Sequence, residues 1–254
     1  MIPKIIHYCW FGFNEPPAII KKCIDSWKKM MPDYEIRRWD ESNFDVNASP
    51  FMKEAYISKK YAYVSDYARY MILCKEGGIF LDADVELLKP IDVLLEKPFS
   101  LGINKHIKKN IVFVNPGLFI ASEPDFHLLH EILDFYNSIH FLKDDNTPNY
   151  TYSSPRVLTS LLKTKYNFKI KDETQMLNDE IKIFSSIYFD PINPRKLFGN
   201  KMEITSKTYA IHYGTGTWIP LNQKIKRVLS IICRNIVGDG LIDNLRGKEK
   251  ISYE

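Results

Sequence analysis

Residues 77–84 read GGIFLDAD and join a helix stop, a short apolar run and two carboxylates. A glycine pair at such a place is typical of a helix end, and the apolar run predicts a buried strand. Asp82 and Asp84 follow where the chain leaves that strand. Ligands of open α/β sheets bind at the carboxyl ends of strands. The stretch therefore predicts a ligand site at the end of a strand in an α/β sheet.

The carboxylate pair itself favours a cation. Two convergent carboxylates repel each other and are costly unless a positive charge neutralises them. Hard cations prefer such oxygen ligands. The alternative is an exposed acidic turn, because an Asp-X-Asp triplet is common. The place of Asp82 and Asp84 directly after an apolar strand makes a functional site the better interpretation.

The helix predicted before this strand carries charges on a buried surface. Residues 62–74 are apolar on nearly every side, which is typical of a buried helix. Asp66 and Arg69 are three residues apart and share one face of it. Burying charges without partners is expensive. The two residues therefore either form a structural ion pair or line a polar cavity, and both interpretations stay open.

A third polar segment, HYGTGTW at residues 212–218, follows an apolar strand predicted over residues 207–213. Histidine is a common metal ligand, and glycine backbone approaches a diphosphate closely. A lone histidine at a strand end is more often structural. The carboxylate pair makes His212 a candidate third ligand of the cation.

A short break at Asn115-Pro116-Gly117 interrupts an apolar stretch predicted as a strand over residues 111–121. A tight turn explains these residue types. The functional alternative is that the Asn115 amide points at sugar hydroxyls.

The amino-terminal part predicts a βαβ unit with a parallel sheet. A strand is expected over residues 3–10, a helix from Asn14 to Met31 and a second strand over residues 34–39. Further helices are predicted over residues 51–58 and 62–76, after Pro124 and over residues 156–162. Further strands are predicted over residues 99–103, 111–121, 182–188 and 207–213. We expect one α/β domain over residues 1–220.

Bulk properties exclude several classes. The 254 residues suit one large domain, and 45% hydrophobic residues are enough for a core. The net charge of +4 comes without a basic-aromatic strip, which argues against nucleic-acid binding. None of the four cysteines lies in a C-x-x-C pair, so we expect small core residues in a reducing cytoplasm. No secretory signal or spanning segment is visible.

Residues 221–254 are expected to form a basic amphipathic helical segment. Its apolar positions at helical spacing are Ile225, Val228, Leu229, Ile232 and Ile236. Such a helix lies on a membrane or packs against its own domain with a charged outer face, and packing is the favoured interpretation. The predicted location is cytoplasmic, with peripheral contact at the inner membrane face as the alternative.

Three segments resemble glycosyltransferase family 32, whose sugar-binding region contains the Asp-X-Asp motif. They are IPKIIHYCW at residues 2–10, SDYARY at 65–70 and GGIFLDAD at 77–84. The family includes bacterial capsular-polysaccharide transferases and is similar to the catalytic domains of large clostridial glucosylating toxins. The HYGTGTW segment lacks the second aromatic and the serine usual before the tryptophan, and its His-Tyr-Gly resembles glycosyltransferase family 8.

This resemblance implies a GT-A fold, in which helices flank a mostly parallel central sheet. It also implies a nucleotide-sugar donor, Mn²⁺ or Mg²⁺, and retention of anomeric configuration. The metal ligands implied are Asp82, Asp84 and His212, while Asp66 and Arg69, with Asp82, would hold the donor sugar. The other predicted donor-binding residues are His7, Tyr8, Trp10, Asn115, Gly117, Thr217 and Trp218.

The expected function is transfer of a hexose or N-acetylhexosamine from a UDP-linked donor. The acceptor would be a polysaccharide or lipid-linked oligosaccharide in bacterial surface glycan synthesis. Two alternatives remain, a metal-dependent phosphoesterase and a catalytically silent nucleotide-sugar-binding protein. A phosphoesterase would need further metal ligands, and the histidines at positions 106, 127, 130 and 140 form no recognised cluster with Asp82.

Overall fold

A computed structural model of the chain describes residues 1–106, 111–191 and 204–216. The strands are β1 (Ile5–Cys9), β2 (Glu35–Trp39), β3 (Gly78–Phe80), β4 (Val85–Leu87), β5 (Phe99–His106), β6 (Ile111–Val114), β7 (Ile120–Ser122), β8 (Gln175–Leu177), β9 (Ile181–Phe184) and β10 (Ala210–His212). The helices are α1 (Ala18–Met30), α2 (Pro50–Ile57), α3 (Tyr61–Glu76), α4 (His127–Asn137) and α5 (Ser154–Lys165).

Within the described ranges, a central sheet has the order β2-β1-β3-β7-β5-β9-β8, with β6 paired to β5. Strand β1 runs parallel to β2 and β3, and β5 runs parallel to β9. Strand β7 is antiparallel to both β3 and β5, so β3 and β5 point the same way. The carboxyl ends of β1, β3, β5 and β9 therefore meet at one edge. The predicted α/β class, with parallel strands at the centre and helices around them, is confirmed.

A second, two-stranded sheet brings the carboxyl-terminal part of the described chain to that edge. Strand β10 pairs antiparallel with β4, and His212 lies opposite Val85. The sequence predicted β10 but not β4, which has only three residues. This pairing places His212 beside the loop that carries Asp82 and Asp84.

Helix α1 fixes β4 from outside. The indole Nε1 of the fully buried Trp27 donates a hydrogen bond to the carbonyl oxygen of Val85 at 2.7 Å. The segment between β3 and β4 is therefore held at both ends, by the central sheet and by α1. A loop restrained in this way keeps its polar side chains in a fixed arrangement.

Aromatic packing buries α3, as the sequence predicted. The ring of Phe51 on α2 lies 4.8 Å from that of Tyr136 on α4 and 5.6 Å from that of Phe141. The ring of Tyr70 on α3 stacks on Tyr136 at 6.1 Å. All four residues are buried, and rings of this size dominate core energetics. Helix α3 is thereby a rigid support for the charged pair that it carries.

Three of the differences from the predicted boundaries have a clear local cause. Helix α1 begins at Ala18 rather than at Asn14, because Pro17 keeps the extended backbone of a cap residue. The apolar stretch over residues 111–121 forms two strands, β6 and β7, because the turn at residues 115–117 separates them. Strand β9 ends at Phe184, and residues Ser186–Tyr188 form a 3-10 turn.

Met1–Gly214 forms one compact unit. Thr217, Trp218 and the basic segment 221–254 lie outside the described residues, so the predictions for them and for the domain boundary stay predictions. In the part of the chain that the structure describes, no helix is both long and apolar enough to cross a membrane. Cys9, Cys23 and Cys74 carry free thiols, and the first two are buried, in line with their predicted place in the core.

Candidate active site

The acidic loop after β3 is tied to two neighbouring segments. The backbone N–H of Leu81 donates to the carbonyl of His7 at 3.1 Å, and that of Asp82 donates to the carbonyl of Gly117 at 2.8 Å. The N–H of Val85 then donates back to the carbonyl of Asp82 at 3.0 Å. The backbone that carries Asp82 and Asp84 is thus held by hydrogen bonds to two neighbouring segments and within the loop.

Arg69 joins the two candidate carboxylate groups from below. Its Nη2 lies 3.1 Å from Oδ1 of Asp66 and 3.3 Å from Oδ1 of Asp82. The Arg69 side chain is 4% exposed, whereas that of Asp82 is 32% exposed. The Arg69 guanidinium therefore lies in the protein interior beneath the site, whereas the Asp82 carboxylate is partly exposed to solvent. The structure shows the ion pair of Asp66 and Arg69, and the same guanidinium also contacts the partly exposed carboxylate of Asp82.

The guanidinium is held in place by two further contacts. Its Nε donates to the carbonyl oxygen of Ser65 at 3.1 Å, and its carbon lies 5.0 Å from the centre of the Phe80 ring. A planar guanidinium presents several donors in a fixed fork, which suits simultaneous binding of two carboxylates. Arg69 contacts two carboxylates through Nη2 and a backbone carbonyl through Nε at the same time.

Asp66 is the buried member of the set. Its Oδ2 accepts a hydrogen bond from the backbone N–H of Ser154 at 2.9 Å, at the start of α5. Burial raises the pKa of Asp66 to about 6, although Arg69 and the Ser154 N–H both act to lower it. At neutral pH the Asp66 carboxyl is mainly ionised, and its buried negative charge is balanced by the Arg69 guanidinium. The sequence does not mark Ser154, because its contact uses the backbone N–H and leaves no side-chain signal.

His212 lies against the carboxylate pair. Its Nε2 is 3.2 Å from Oδ1 of Asp84 and 3.9 Å from Oδ2 of Asp82. One ligand atom from each of the three residues lies within 4.8 Å of the others. Burial acts to lower the pKa of His212, but the carboxylates of Asp84, Asp82 and Asp190 outweigh it and raise the pKa to about 9. The predicted third ligand therefore comes together with the predicted pair.

These three side chains fit a divalent cation. Two carboxylates and one imidazole are ligand types that Mn²⁺ and Mg²⁺ sites or zinc sites use. Two of the three, Asp84 and His212, are largely buried, yet Asp82 remains open to solvent. The raised pKa of His212 reflects the negative charge of this cluster, which the Arg69 guanidinium balances in part.

Cation binding is expected to strengthen as pH rises. A metal displaces the proton of a ligating histidine, and the pKa of His212 is raised to about 9. Each pH unit below that value should therefore weaken Mn²⁺ binding by about tenfold, for one displaced proton. Calorimetric titration between pH 6.5 and 8.5 measures this slope. The same affinity at both ends of that range would show that His212 does not ligate the cation.

The turn at residues 115–117 closes the site from the side of β7. Oδ1 of Asn115 accepts a hydrogen bond from the N–H of Gly117 at 3.0 Å, so this side chain shapes the turn. A Cβ added to Gly117 would lie 2.1 Å from Oδ2 of Asp82 and 3.1 Å from Nη1 of Arg69. Glycine at this position therefore lets the backbone reach the carboxylate. Contact of Asn115 or Gly117 with a donor sugar stays a prediction.

A Gly117→Ala variant is expected to lose activity while it stays folded. The added methyl would push the Asp82 carboxylate aside, and displacing a reacting group by about 1 Å can cost on the order of a hundredfold in rate. The matched control is Gly102→Ala, whose Cβ would meet the Phe189 ring at 3.1 Å instead of a carboxylate. Initial rates and thermal unfolding of both variants test this. Equal rates for the two would contradict it.

Three residues in and directly after β1 were predicted to bind the donor, and their side chains differ in solvent accessibility. His7 is fully buried; Trp39 Nε1 donates to its Nδ1 at 3.0 Å, and its Nε2 donates to the carbonyl of Gly77 at 2.9 Å. Burial lowers the pKa of His7 to about 4, so the ring is neutral and holds β1, β2 and the end of α3 together. Tyr8 is buried against Trp27, while Trp10 is half-buried. Contact of these residues with a nucleotide stays a prediction.

Asp190 is an acidic residue beside the carboxyl end of β5 that the sequence does not mark. Asp190 follows the 3-10 turn after β9, and its Oδ2 accepts a hydrogen bond from Nδ2 of Asn104 at 2.7 Å. The only sequence signal was an Asp-Pro pair just after an apolar run. Such a pair is common at turns, so nothing in the sequence marked it.

Comparison with known proteins defines the class. A protein described as uncharacterized glycosyltransferase L373, from Acanthamoeba polyphaga mimivirus, is 29% identical over 228 residues, which are 87% of this chain and 85% of that protein. Inositol phosphoceramide mannosyltransferase 3 of Schizosaccharomyces pombe is 40% identical over 104 residues, which are 38% of this chain but only 28% of that enzyme. The solved structure of the galactosyltransferase LgtC with donor and acceptor sugar analogues matches with a TM-score of 0.48 and 12% identity, over 84% of this chain and 87% of that one. The sequence relatives and a family match over residues 1–215 make this chain a glycosyltransferase.

The particular family follows from a second match. The model of the family described as capsular polysaccharide synthesis protein matches residues 1–215, and the chain belongs to that family. The resemblance to glycosyltransferases of the capsular-polysaccharide type, predicted from the residues, is confirmed. The matched range contains the acidic loop, Arg69 and His212, and it ends before Thr217.

Proposed function

We propose that this chain is a metal-dependent, retaining hexosyltransferase. It takes a hexose or N-acetylhexosamine from a UDP-linked donor and moves the sugar to a hydroxyl of a polysaccharide or lipid-linked oligosaccharide. The product belongs to bacterial surface glycan synthesis. We place the reaction in the cytoplasm.

The observation that carries this proposal is the cluster of Asp82, Asp84 and His212 above the Arg69–Asp66 pair. Its three ligand atoms lie within 4.8 Å of one another. It sits at the carboxyl edge of the sheet, where α/β proteins bind their ligands. The buried guanidinium beneath it offers fixed positive charge and donors next to an accessible carboxylate. A negatively charged donor with a hydroxyl-rich sugar matches both features.

The chemistry divides between the cation and the chain. When bound by Asp82, Asp84 and His212, a divalent cation supplies Lewis-acid stabilisation of the negative charge on the departing diphosphate. Arg69 is already oriented by Asp66 and Ser65, so it contributes electrostatic stabilisation without reorganising. Asp66 and Asp82 accept hydrogen bonds from donor-sugar hydroxyls and hold the anomeric carbon in place.

We infer front-face attack by the acceptor hydroxyl. The acceptor oxygen forms a bond to the anomeric carbon on the side from which the phosphate oxygen leaves, and the hydroxyl proton passes to that phosphate. Anomeric configuration is retained without a covalent enzyme intermediate. A trapped glycosyl-enzyme adduct would contradict this route, and the anomer released first, observed by NMR, tests retention.

Donor hydrolysis tests the proposed function. The protein is incubated with a panel of UDP- and GDP-sugars, with and without Mn²⁺, and nucleotide release is followed. We expect Mn²⁺-dependent release from a UDP-sugar. Release of phosphate from p-nitrophenyl phosphate without any sugar release would favour a phosphoesterase. Binding of UDP with neither hydrolysis nor transfer would favour a silent nucleotide-sugar-binding protein.

A further inference from the structure

Asp190 is built into the edge of the sheet by two donors. Nδ2 of Asn104 donates to its Oδ2 at 2.7 Å, and the backbone N–H of Lys105 also donates to the carboxylate. Both donors belong to the carboxyl end of β5, which points the same way as β3. The N–H of Asp190 itself donates to the carbonyl of Ser186 at 2.8 Å. The carboxylate is therefore fixed at the same edge as the acidic loop.

A second set of contacts brings Asp190 towards His212. The rings of Tyr188 and Tyr209 stack at 5.9 Å, and the N–H of Tyr209 donates to the carbonyl of Tyr188 at 2.8 Å. These residues precede Asp190 and His212 by two and three positions. Asp190 is close enough to His212 for its carboxylate to help raise the pKa of the imidazole. Asp190 thus approaches His212 from β5 and β9, whereas Arg69 approaches the site from α3.

We propose that Asp190 binds a hydroxyl of the acceptor sugar and helps to determine acceptor specificity. This inference rests on the proposed function. The α3 side of the site contains Arg69 and Asp66, which suit the donor sugar. The acceptor must therefore approach the site from another direction. Asp190 lies on the β5–β9 side rather than on the side that α3 provides.

The chemistry of a carboxylate suits this role. An ionised carboxylate accepts up to about four hydrogen bonds, so Asn104 and Lys105 do not saturate Asp190. Burial raises the pKa of Asp190 to about 6, although His212 acts to lower it. At neutral pH the group is therefore mainly ionised and accepts strong hydrogen bonds from hydroxyls. Asn104 is a positioning residue, because it acts through Asp190.

The test compares Asp190→Asn with the matched control Asp172→Asn. Asp172 is a neighbouring carboxylate that bonds to Ser186 and lies 3.4 Å from Lys105 Nζ. Each variant is assayed with Mn²⁺ and the UDP-sugar that wild type hydrolyses, first alone and then with methyl glycosides of glucose, galactose, mannose and N-acetylglucosamine as acceptor probes. The measured quantities are the hydrolysis rate, the donor KM and the kcat/KM for each probe.

We expect Asp190→Asn to lower kcat/KM for the best probe by about tenfold or more, as loss of a hydrogen bond to a charged group would. Hydrolysis and the donor KM are measured at saturating Mn²⁺, where the effect of Asp190 on the pKa of His212 no longer limits cation binding. Both should stay near wild type, which also shows that the variant is folded. Asp172→Asn should resemble wild type throughout. Unchanged kcat/KM, equal losses of hydrolysis and transfer, or no probe accepted by wild type would each overturn the assignment. No metal-dependent hydrolysis by wild type would instead refute the proposed function.

Discussion

Asp84→Ala is expected to reduce metal-dependent donor hydrolysis and sugar transfer by about a thousandfold, because a bound cation contributes several kcal/mol to the transition state. Asp84 is the buried carboxylate of the cluster, and its Oδ1 lies 3.2 Å from Nε2 of His212. Its removal takes away a ligand and the partner that orients the imidazole. Initial rates over a range of Mn²⁺ concentrations measure the effect.

The matched control for this variant is Asp125→Ala. Asp125 is also an aspartate in an ion pair with a histidine, since its Oδ1 lies 2.7 Å from Nε2 of His130, but its side chain is 83% exposed. It follows β7 at the start of α4, whereas the acidic loop follows β3. The control should keep wild-type rates. Activity of Asp84→Ala within about threefold of that control would mean that the cluster does not hold the catalytic cation.

Arg69→Met is expected to lose both stability and activity. The side chain is 4% exposed and holds Asp66 and Asp82 at 3.1 and 3.3 Å. Removing one partner of a buried ion pair leaves an uncompensated charge and typically costs about 3–5 kcal/mol. Arg69→Lys should recover part of the stability but little activity, because lysine lacks the Nε–H that donates to Ser65 and the planar group that packs on Phe80. Urea unfolding and donor hydrolysis measure the two effects.

The loss of stability should depend on pH. Burial already raises the pKa of Asp66 to about 6, and Arg69 acts against that rise. Without Arg69 the pKa of Asp66 should rise further, so the carboxyl becomes neutral at acidic pH and the cost of burying it falls. Arg69→Met should therefore be more strongly destabilised at pH 8 than at pH 5. A difference from wild type that is small and equal at both values would contradict the buried pair.

Local sequence patterns were sufficient for much of the fold. The βαβ start, the buried helix α3 and the carboxylates after β3 were predicted because each pattern depends on residues close together in the chain. The apolar faces of α3 and the glycine pair at residues 77–78 specify a buried helix and its end without reference to distant segments. The same locality made Asp66, Arg69, Asp82 and Asp84 recognisable before their contacts were known.

The other features of the fold and the site depend on contacts between residues far apart in the chain, which the spacing of residues in the sequence does not reveal. Strand β4 has three residues and exists because β10 pairs with it. The tie between Asp82 and Gly117 is a backbone hydrogen bond, so its sequence trace is only a glycine whose added Cβ would collide with a carboxylate. Asp190 reaches the site through Asn104 on another strand. Local spacing also does not reveal that both ring nitrogens of His7 form hydrogen bonds within the fold, and the contact of His7 with a nucleotide stays a prediction.

Electron paramagnetic resonance of Mn²⁺ tests the central claim most directly, because the signal of free aqueous Mn²⁺ disappears when the ion is bound. The comparison uses wild type, Asp84→Ala, His212→Ala and His130→Ala in the presence of UDP. His130 serves as the control because Cys74, Asp125 and His130 form a second cluster of metal-ligating side chains among the described residues. We predict one bound Mn²⁺ per chain in wild type and in His130→Ala, and much weaker binding in Asp84→Ala and His212→Ala. Equal Mn²⁺ binding by all four proteins would contradict the assignment of Asp82, Asp84 and His212 as the cation site.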